Sequence, residues 1–348
     1  MEITKSLKDI SWDVPEEIYR ADLALSYSTL AKFEREGFNK LGSLFDKVES
    51  PSLTFGSAVD SIITGGQKEF DERFLVAEFP PTPDSIIVIV RDLFSIYNLS
   101  YNDLNSIPTD TIIRVAEKYN YQSNWKPETR AKVIREKGNA YYQLLYISQG
   151  KTILSQETYQ DVINAVQVLK ESASTKFYFN DNPFDSIERL YQLKFKHEFN
   201  GIMYRGMLDL VLVDHDNKKI YPIDLKTSYK EEWDFYKSFL EWHYFTQARL
   251  YYRLLNATIK KDDYFKDFEI DNYRFIVVNR RTLTPLVWKF PETKMDGALY
   301  IGKAFNIKIR DPFDIGAELN YYLTNNPQVP VGIKINDDNN ITEWINKL

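Results

Sequence analysis

Cysteine is absent from the 348-residue sequence, and histidine occurs only three times. The absence of cysteine excludes disulfides, thiol catalysis and Cys-ligated zinc or iron–sulfur sites, and it agrees with a reducing compartment. His197, His215 and His243 do not have the spacing of a zinc site. No apolar run is long enough to cross a bilayer, and residues 1–17 are acidic and polar where a signal peptide would be basic and then apolar. We therefore expect an intracellular, cytoplasmic protein with no membrane segment.

An excess of basic charge is also lacking, since the net charge is −6. Phosphate contacts from Lys and Arg dominate nucleic-acid affinity, so this balance counts mildly against a DNA partner. It does not exclude one, because metal-binding carboxylates add negative charge and basic residues can be concentrated in one groove. Hydrophobic residues make up 43% of the chain, with 24 Tyr and 22 Phe, which is enough to bury a substantial core.

Two turn signals divide residues 189–228 into three strands. Asn200-Gly201 is the stronger signal, because both central residues of a type I′ turn need positive φ. The polar residues 215–218 separate two apolar runs and indicate a second turn. We predict a three-stranded antiparallel meander. A two- or four-residue loop centred on residues 216 and 217 would place Asp209 opposite Asp224, and the first turn would place it opposite Gln192.

Strict alternation of side chains gives this meander one polar and one apolar face. The polar face carries Gln192, Lys194, Lys196, Glu198, Arg205, Asp209, Asp224 and Lys226. The apolar face carries Leu193, Phe195, Phe199, Tyr204, Leu208, Leu210, Leu212, Ile223 and Leu225, and it belongs on the core. Directly opposed Cβ atoms are about 5 Å apart, so three carboxylates and a lysine gather on one side.

Like charges opposed across a ladder destabilise a sheet, so Asp209 and Asp224 need a counter-charge. Carboxylate oxygens with the backbone carbonyl of Leu225 suit Mg²⁺ or Mn²⁺. Lys226 lies two residues on, on the same side, where it can orient or deprotonate a water or stabilise developing negative charge. The alternative is the solvated face of a half-exposed sheet, since Asp/Glu-x-Lys also occurs at Asp216–Lys218 and at Glu292–Lys294.

The segments GMLDLVLV and YPIDLKTS resemble the PD-(D/E)XK nuclease superfamily. In that superfamily, an Asp on one core strand and Asp-x-Lys on the next hold the metals. Residues 229–256 read as one helix containing Tyr244, Gln247 and Tyr251, which resembles the Gln-x-x-x-Tyr motif of the RecB-like branch. Gln247 and Tyr251 share a helix face. The resemblance implies that this face holds the scissile nucleotide, and packing is the alternative for Tyr251.

Upstream, LTFGSAVDSII at 53–63 is similar to the first motif of the same branch, with Asp60 where the family has His. An unpartnered buried Asp would be costly, so Asp60 is a candidate metal ligand, and an outward-facing helix residue is the alternative. Glu198 is a candidate outer ligand or lysine partner, because the family often has Glu at this distance before its first Asp.

The overall likeness is to RecE-like and phage recombination exonucleases. It implies an α/β (α+β) fold with a restriction-endonuclease-like core, in which helices flank a central mixed sheet with an antiparallel meander. It also implies resection of duplex DNA ends with Mg²⁺ or Mn²⁺, a single-strand annealing protein as partner, and a ring-shaped homo-oligomer. Two alternatives stay open, namely an endonuclease on the same core and a non-catalytic DNA-binding or assembly protein that retains the fold.

The chain is predicted to have three parts. Residues 1–78 form an N-terminal helical part with the first motif, 79–180 a helical insertion, and 181–348 the nuclease core with C-terminal helices. The insertion carries basic and aromatic residues that could follow a DNA strand, although such residues more often belong to an amphipathic helix with a solvated face. These residues are Lys118, Tyr119, Tyr121, Trp125, Lys126, Arg130, Lys132, Arg135 and Lys137.

Overall fold

The computed structural model describes residues 5–46, 50–179, 186–294, 297, 299–301, 307–327, 330–335 and 341–345. The helices are α1 (Glu16–Ala21), α2 (Tyr27–Glu36), α3 (Pro51–Arg73), α4 (Asp84–Tyr97), α5 (Thr109–Lys118), α6 (Pro127–Ser148), α7 (Gln156–Glu171), α8 (Lys176–Phe179), α9 (Phe235–Glu241), α10 (Tyr244–Ile259) and α11 (Pro312–Asn325). The strands are β1 (Phe74–Val76), β2 (Thr152–Leu154), β3 (Ile187–Phe199), β4 (Ile202–Asp214), β5 (Lys219–Ser228), β6 (Glu269–Ile270), β7 (Tyr273–Asn279), β8 (Pro285–Phe290), β9 (Leu299–Ile301), β10 (Ile307–Ile309), β11 (Val331–Ile335) and β12 (Ile341–Ile345).

The chain divides into two compact units, one formed by 1–56 with 165–348 and the other by 57–164. The first unit contains a six-stranded sheet in the order β3-β4-β5-β7-β8, with β6 pairing to β5. The pairs β3–β4, β4–β5 and β7–β8 are antiparallel, whereas β5 and β7 are parallel. This is the predicted α/β fold, with a central, mostly antiparallel sheet flanked by helices. The predicted boundaries at 78 and 180 stay predictions.

The second unit is helical, apart from the parallel pair of β1 and β2. Its apolar core is formed by α4, α5 and α6. Several basic residues that the sequence places on an exposed face form ion pairs or hydrogen bonds within this unit. Arg130 is buried and pairs with Glu117, and Arg135 donates to the carbonyl oxygen of Ile107 at 2.8 Å. Lys118 pairs with Asp92 at 2.8 Å.

Both turns of the meander have the predicted form. Asn200 and Gly201 have φ of 52° and 75°, as a type I′ turn requires. The second turn is a four-residue loop, closed by the pairing of Asp214 with Lys219. The ladder pairs therefore follow the register predicted from the sequence on both sides of β4.

The predicted alternation of faces fails in the middle of β3 and β4. Leu193 and Leu208 lie in the core of the first unit, yet Val211 lies in the same core and Leu190 packs against it, each an odd number of residues away along its strand. The pair Gln192–Asp209 is missing from the ladder, and Gln192 has φ of 50°. A residue in this left-handed conformation turns the strand locally, so side chains on its two sides swap faces.

The predicted helix over 229–256 is interrupted. It consists of α9 and α10, which are separated at His243, where φ is 55° and the backbone is left-handed. His243 Nδ1 lies 3.0 Å from Glu34 of α2, and this contact holds the break in place. The break lets α10 pack across the sheet, where Leu250, Leu254 and Tyr251 join the core of the first unit.

Serine side chains cap the two N-terminal helices α2 and α3. Ser26 caps α2 by accepting from Thr29 N–H, and Gly37 ends this helix with φ of 73°. Helix α3 begins at Pro51, and the Ser50 side chain accepts from the backbone N–H of Leu53. In the described ranges, no helix combines the length and the apolar composition that a membrane span requires.

Candidate active site

The candidate active site lies where β4 parts from β5. One edge of β4 pairs with β5 only from Leu210 to Asp214. Further along the same edge, β4 forms hydrogen bonds with the segment that precedes α2. Leu25 N–H donates to Met203 O, and Arg205 N–H donates to Leu25 O, both at 2.9 Å. Residues 206–209 lie between these two partners, so they form the base of a fork in the sheet.

Asp209 bridges this fork with its side chain. Its Oδ2 accepts the backbone N–H of Leu225 at 2.8 Å, at the position where the ladder between β4 and β5 has ended. The two aspartates follow the predicted register, but a side-chain bond to the backbone replaces the regular pair. This bond fixes the Asp209 carboxylate beside the strand that carries Asp224 and Lys226.

Asp224 is almost fully buried, with 1% of its surface exposed. Its Oδ2 forms an ion pair with Lys226 Nζ, and its Oδ1 accepts from Gln247 Nε2 at 2.5 Å. A buried carboxylate persists only if it is paired and hydrogen-bonded, and both conditions are met here. The contacts come from β5 itself and from α10, so the sheet and the helix together position this group.

Lys226 is held as an ammonium. Burial by itself would lower its pKa, but Asp224 and Asp209 outweigh burial and raise the pKa above its ordinary value. The ammonium also lies 4.8 Å from the centre of the Tyr244 ring. Two carboxylates and one ammonium leave this buried site with a net negative charge.

Gln247 and Tyr251 project from α10 onto the fork. Gln247 is buried, and its Oε1 has no hydrogen-bond partner among the residues that the structure describes. Burial raises the pKa of Tyr251 well above its ordinary value, and Asp224 and Asp209 add to this effect. The close approach of Tyr251 to β4 depends on Gly206, because a Cβ there would lie 2.7 Å from two Tyr251 ring carbons.

Three further groups at this site were not predicted from the sequence. Tyr19 of α1 stacks on Arg205, with the guanidinium 4.6 Å from its ring centre. Burial raises the pKa of Tyr19, while Arg205 and a hydrogen bond with Tyr251 lower it. Tyr27, the first residue of α2, donates its hydroxyl to Trp242 O at 2.6 Å, and its ring lies 6.5 Å from that of Tyr251. Both tyrosines lie in distant N-terminal segments, so no spacing pattern could have linked them to the meander.

One predicted site residue, Glu198, is not part of this cluster. Glu198 is exposed near the tip of the hairpin, opposite Met203, about 20 Å along β4 from Asp209 at 3.3 Å per residue. Asp60 lies on α3 within the second unit, and its role stays a proposal. Among the residues described, no three His, Asp or Glu side chains are grouped closely enough to hold a metal ion.

The chemistry of the donor set fits a hard divalent cation. Asp209 and Asp224 supply carboxylate oxygens, and Gln247 Oε1 is a buried acceptor that lacks a donor. Mg²⁺ and Mn²⁺ prefer oxygen ligands, and Mg²⁺ is commonly held by one or two carboxylates with waters and substrate phosphates. The net negative charge of the site also favours the binding of a cation.

No family model and no curated protein matches the sequence. Among solved structures, a crystal structure from Eubacterium rectale described as a "putative exonuclease" is similar to this chain. The similarity covers 83% of this chain and 79% of that chain, with a TM-score of 0.39 and 12% sequence identity.

Proposed function

We propose that the protein is a metal-dependent deoxyribonuclease that hydrolyses phosphodiester bonds, with exonucleolytic attack on the ends of duplex DNA as the preferred mode. One observation carries this proposal, namely that Asp209, Asp224 and Lys226 converge at a fork in the sheet. The carboxylates of half-buried Asp209 and buried Asp224 lie side by side, which is unfavourable for the sheet alone and favourable when a cation and a phosphate are bound there.

Asp209, Asp224 and the backbone carbonyl of Leu225 would hold Mg²⁺ or Mn²⁺, with Asp60 as a further candidate ligand. When bound, the metal supplies a water of lowered pKa and neutralises charge on the phosphate. Lys226 would orient the attacking water and stabilise charge that develops on the phosphate oxygens. Its ammonium is ready for this role because Asp224 and Asp209 keep it protonated.

Gln247 would orient Asp224 through its Nε2 and present Oε1 to the substrate side of the site. Tyr251 and Tyr244 would bind the scissile nucleotide with their rings and hydroxyls. Glu198 stays outside this assignment because of its position near the hairpin tip. A role in recombination, a strand-annealing partner and a homo-oligomer are part of the proposal only through the sequence resemblance.

The test is degradation of end-labelled linear duplex beside closed circular DNA, with Mg²⁺, with Mn²⁺ and with a chelator. The wild type is compared with Lys226→Ala and with Lys230→Ala, a lysine of the following loop that pairs at the surface with Glu241. We expect metal-dependent loss of the linear DNA alone, which Lys226→Ala abolishes and Lys230→Ala leaves intact.

Each other outcome points to a different function. Cutting of the closed circle would indicate an endonuclease on the same core. Binding of DNA without hydrolysis in either metal would overturn the enzyme assignment and leave a DNA-binding or assembly protein.

A further inference from the structure

Two cations face each other across the hairpin, next to the candidate active site. Lys196 of β3 and Arg205 of β4 are directly paired in the ladder. Like charges in this position destabilise a sheet unless a counter-charge lies between them. The available counter-charge is Asp22, in the segment that pairs with β4.

Both oxygens of Asp22 accept from groups other than Arg205. One of its oxygens forms the ion pair with Lys196, and the other accepts the backbone N–H of Ala24 at 2.8 Å. Arg205 therefore acts on Asp22 only through its field, which contributes to lowering the pKa of Asp22. The opposed pair of cations has one carboxylate between them, so one positive charge is left over.

Arg205 carries this surplus charge. Its Nε donates to Ala24 O at 3.1 Å, which fixes the guanidinium, and its Nη1 is buried and has no hydrogen-bond partner in the described part of the chain. Among the described residues, no carboxylate forms an ion pair with it. An unsatisfied, fixed guanidinium is costly in a folded protein, and phosphate is an oxyanion that its geometry fits.

Arg205 is also linked to the candidate active site. Its guanidinium stacks on Tyr19, and Tyr19 is in contact with Tyr251 and in the field of Asp209. Arg205 and Asp209 are four residues apart on β4, about 13 Å at 3.3 Å per residue. Successive phosphates of one strand rise by only about 3.4 Å along the duplex axis, so Arg205 would meet a phosphate that flanks the one at the carboxylates.

We propose that Arg205 is a phosphate-binding residue, which contacts a backbone phosphodiester of the strand bound at the fork. This inference rests on the proposed function and deepens it, since it names where the flanking strand is held. Arg205 does not touch the reacting atoms and acts by fixing the register of the strand. The stacked Tyr19 holds the guanidinium in one plane for that contact.

The test uses short duplexes in which one phosphate at a time is replaced by an uncharged methylphosphonate. Binding is measured by fluorescence anisotropy in Ca²⁺, and hydrolysis of the same duplexes is measured in Mg²⁺. The proteins are the wild type, Arg205→Gln, Arg205→Lys, which keeps the charge, and the double variant Lys196→Gln with Asp22→Asn. The double variant removes the neighbouring ion pair without changing the net charge.

For the wild type, we expect one flanking methylphosphonate to weaken binding about tenfold. Arg205→Gln should weaken binding of unmodified DNA by the same factor, make that one position insensitive to the replacement, and reduce the salt slope by about 1. Arg205→Lys should keep the position sensitive, because the point charge remains. The double variant should bind as the wild type does.

Two results would overturn the inference. One is an Arg205→Gln protein, folded by circular dichroism, that binds like the wild type. The other is a loss that is equal at every methylphosphonate position. Position-specific dependence on Arg205 without hydrolysis in Mg²⁺ would leave this inference standing and overturn the nuclease instead. Hydrolysis without any dependence on Arg205 would overturn only the inference.

Discussion

Replacement of Lys226 by Met should destabilise the first unit, because it removes one partner of a buried ion pair. Asp224 is 1% exposed, and it would keep only Gln247 as a partner while Asp209 stays nearby. Breaking a buried pair from one side costs about 3–5 kcal/mol, because the remaining charge is left uncompensated. The Lys226 side chain is 19% exposed, so we place the loss at the low end, about 3 kcal/mol.

The pH dependence of this loss has a definite sign. The pKa of Lys226 is raised in the folded state, so its contribution to stability is fully present below the unfolded pKa of about 10.4. It is lost only as the pH rises through the folded pKa. The difference between wild type and Lys226→Met should therefore be constant from neutral pH to about pH 10 and shrink above it.

The assay is urea unfolding followed by tryptophan fluorescence. Five of the six tryptophans lie outside 57–164, so the signal reports mainly on the first unit. Lys230→Met is the matched control, because its partner Glu241 is 52% exposed and a surface pair contributes at most about 1 kcal/mol. Mg²⁺ should stabilise Lys226→Met more than the wild type, since the cation replaces the missing ammonium.

The reasoning would be refuted by a Lys226→Met protein that loses no more stability than Lys230→Met. It would also be refuted if Asp224→Asn in the Lys226→Met background failed to restore stability, because removal of both charges should relieve the penalty.

Two further predictions concern the packing around the site. Gly206→Ala should lower the free energy of unfolding by about 1–3 kcal/mol and slow any hydrolysis, because the added Cβ would displace Tyr251. Gly42→Ala is the control, since a Cβ there meets nothing within 4 Å. Its urea unfolding and its hydrolysis should both be close to those of the wild type. Asp311→Asn should lower the free energy of unfolding by about 3 kcal/mol at neutral pH, because Asp311 pairs with Arg253 at 2.8 Å and with Arg249 at 3.1 Å. Although burial alone would raise the pKa of Asp311, Arg253 and Arg249 lower it, so its contribution is present above about pH 3.9 and is lost as the pH falls through the folded pKa. Urea unfolding of wild type and variant at neutral and at acidic pH checks this: a gap that stays unchanged in acid would contradict it.

The register of the meander could be predicted because it depends on local chemistry. Asn200-Gly201 can adopt the positive φ values of a type I′ turn at low cost, and each turn then fixes which residues face each other. The predicted facing of Asp209 toward Asp224 followed from this alone.

The faces could not be predicted in the same way, because Gln192 adopts a left-handed conformation that no residue pattern signals. Strict alternation placed Glu198 on the face of Asp224, but Glu198 lies near the hairpin tip, opposite Met203, too far along the strand to meet Asp224. The break at His243 could not be predicted either, because a tertiary contact with Glu34 holds a conformation that local propensity disfavours.

The residues around the central carboxylates fall into two groups, those whose positions the sequence indicated and those that only long-range contacts bring to the site. Lys226 and Gln247 were found from the sequence, because one is two residues from Asp224 on a strand and the other belongs to a helical motif. Tyr19 and Tyr27 reach the fork through the segment that pairs with β4 at Leu25, and that pairing is a long-range contact. Both oxygens of Asp22 accept from groups other than Arg205, and no sequence pattern signals this arrangement.

The central claim is tested most directly by the initial rate of Mg²⁺-dependent hydrolysis of a labelled duplex by wild type, Asp224→Asn and Asp214→Asn. Asp214 is a buried carboxylate of β4 that accepts from Asn217 in the second turn, away from the fork, so it controls for the loss of a buried charge. We predict that Asp224→Asn lowers the rate at least about 10²-fold, while Asp214→Asn stays close to wild type. Equal rates for Asp224→Asn and the wild type would contradict the claim.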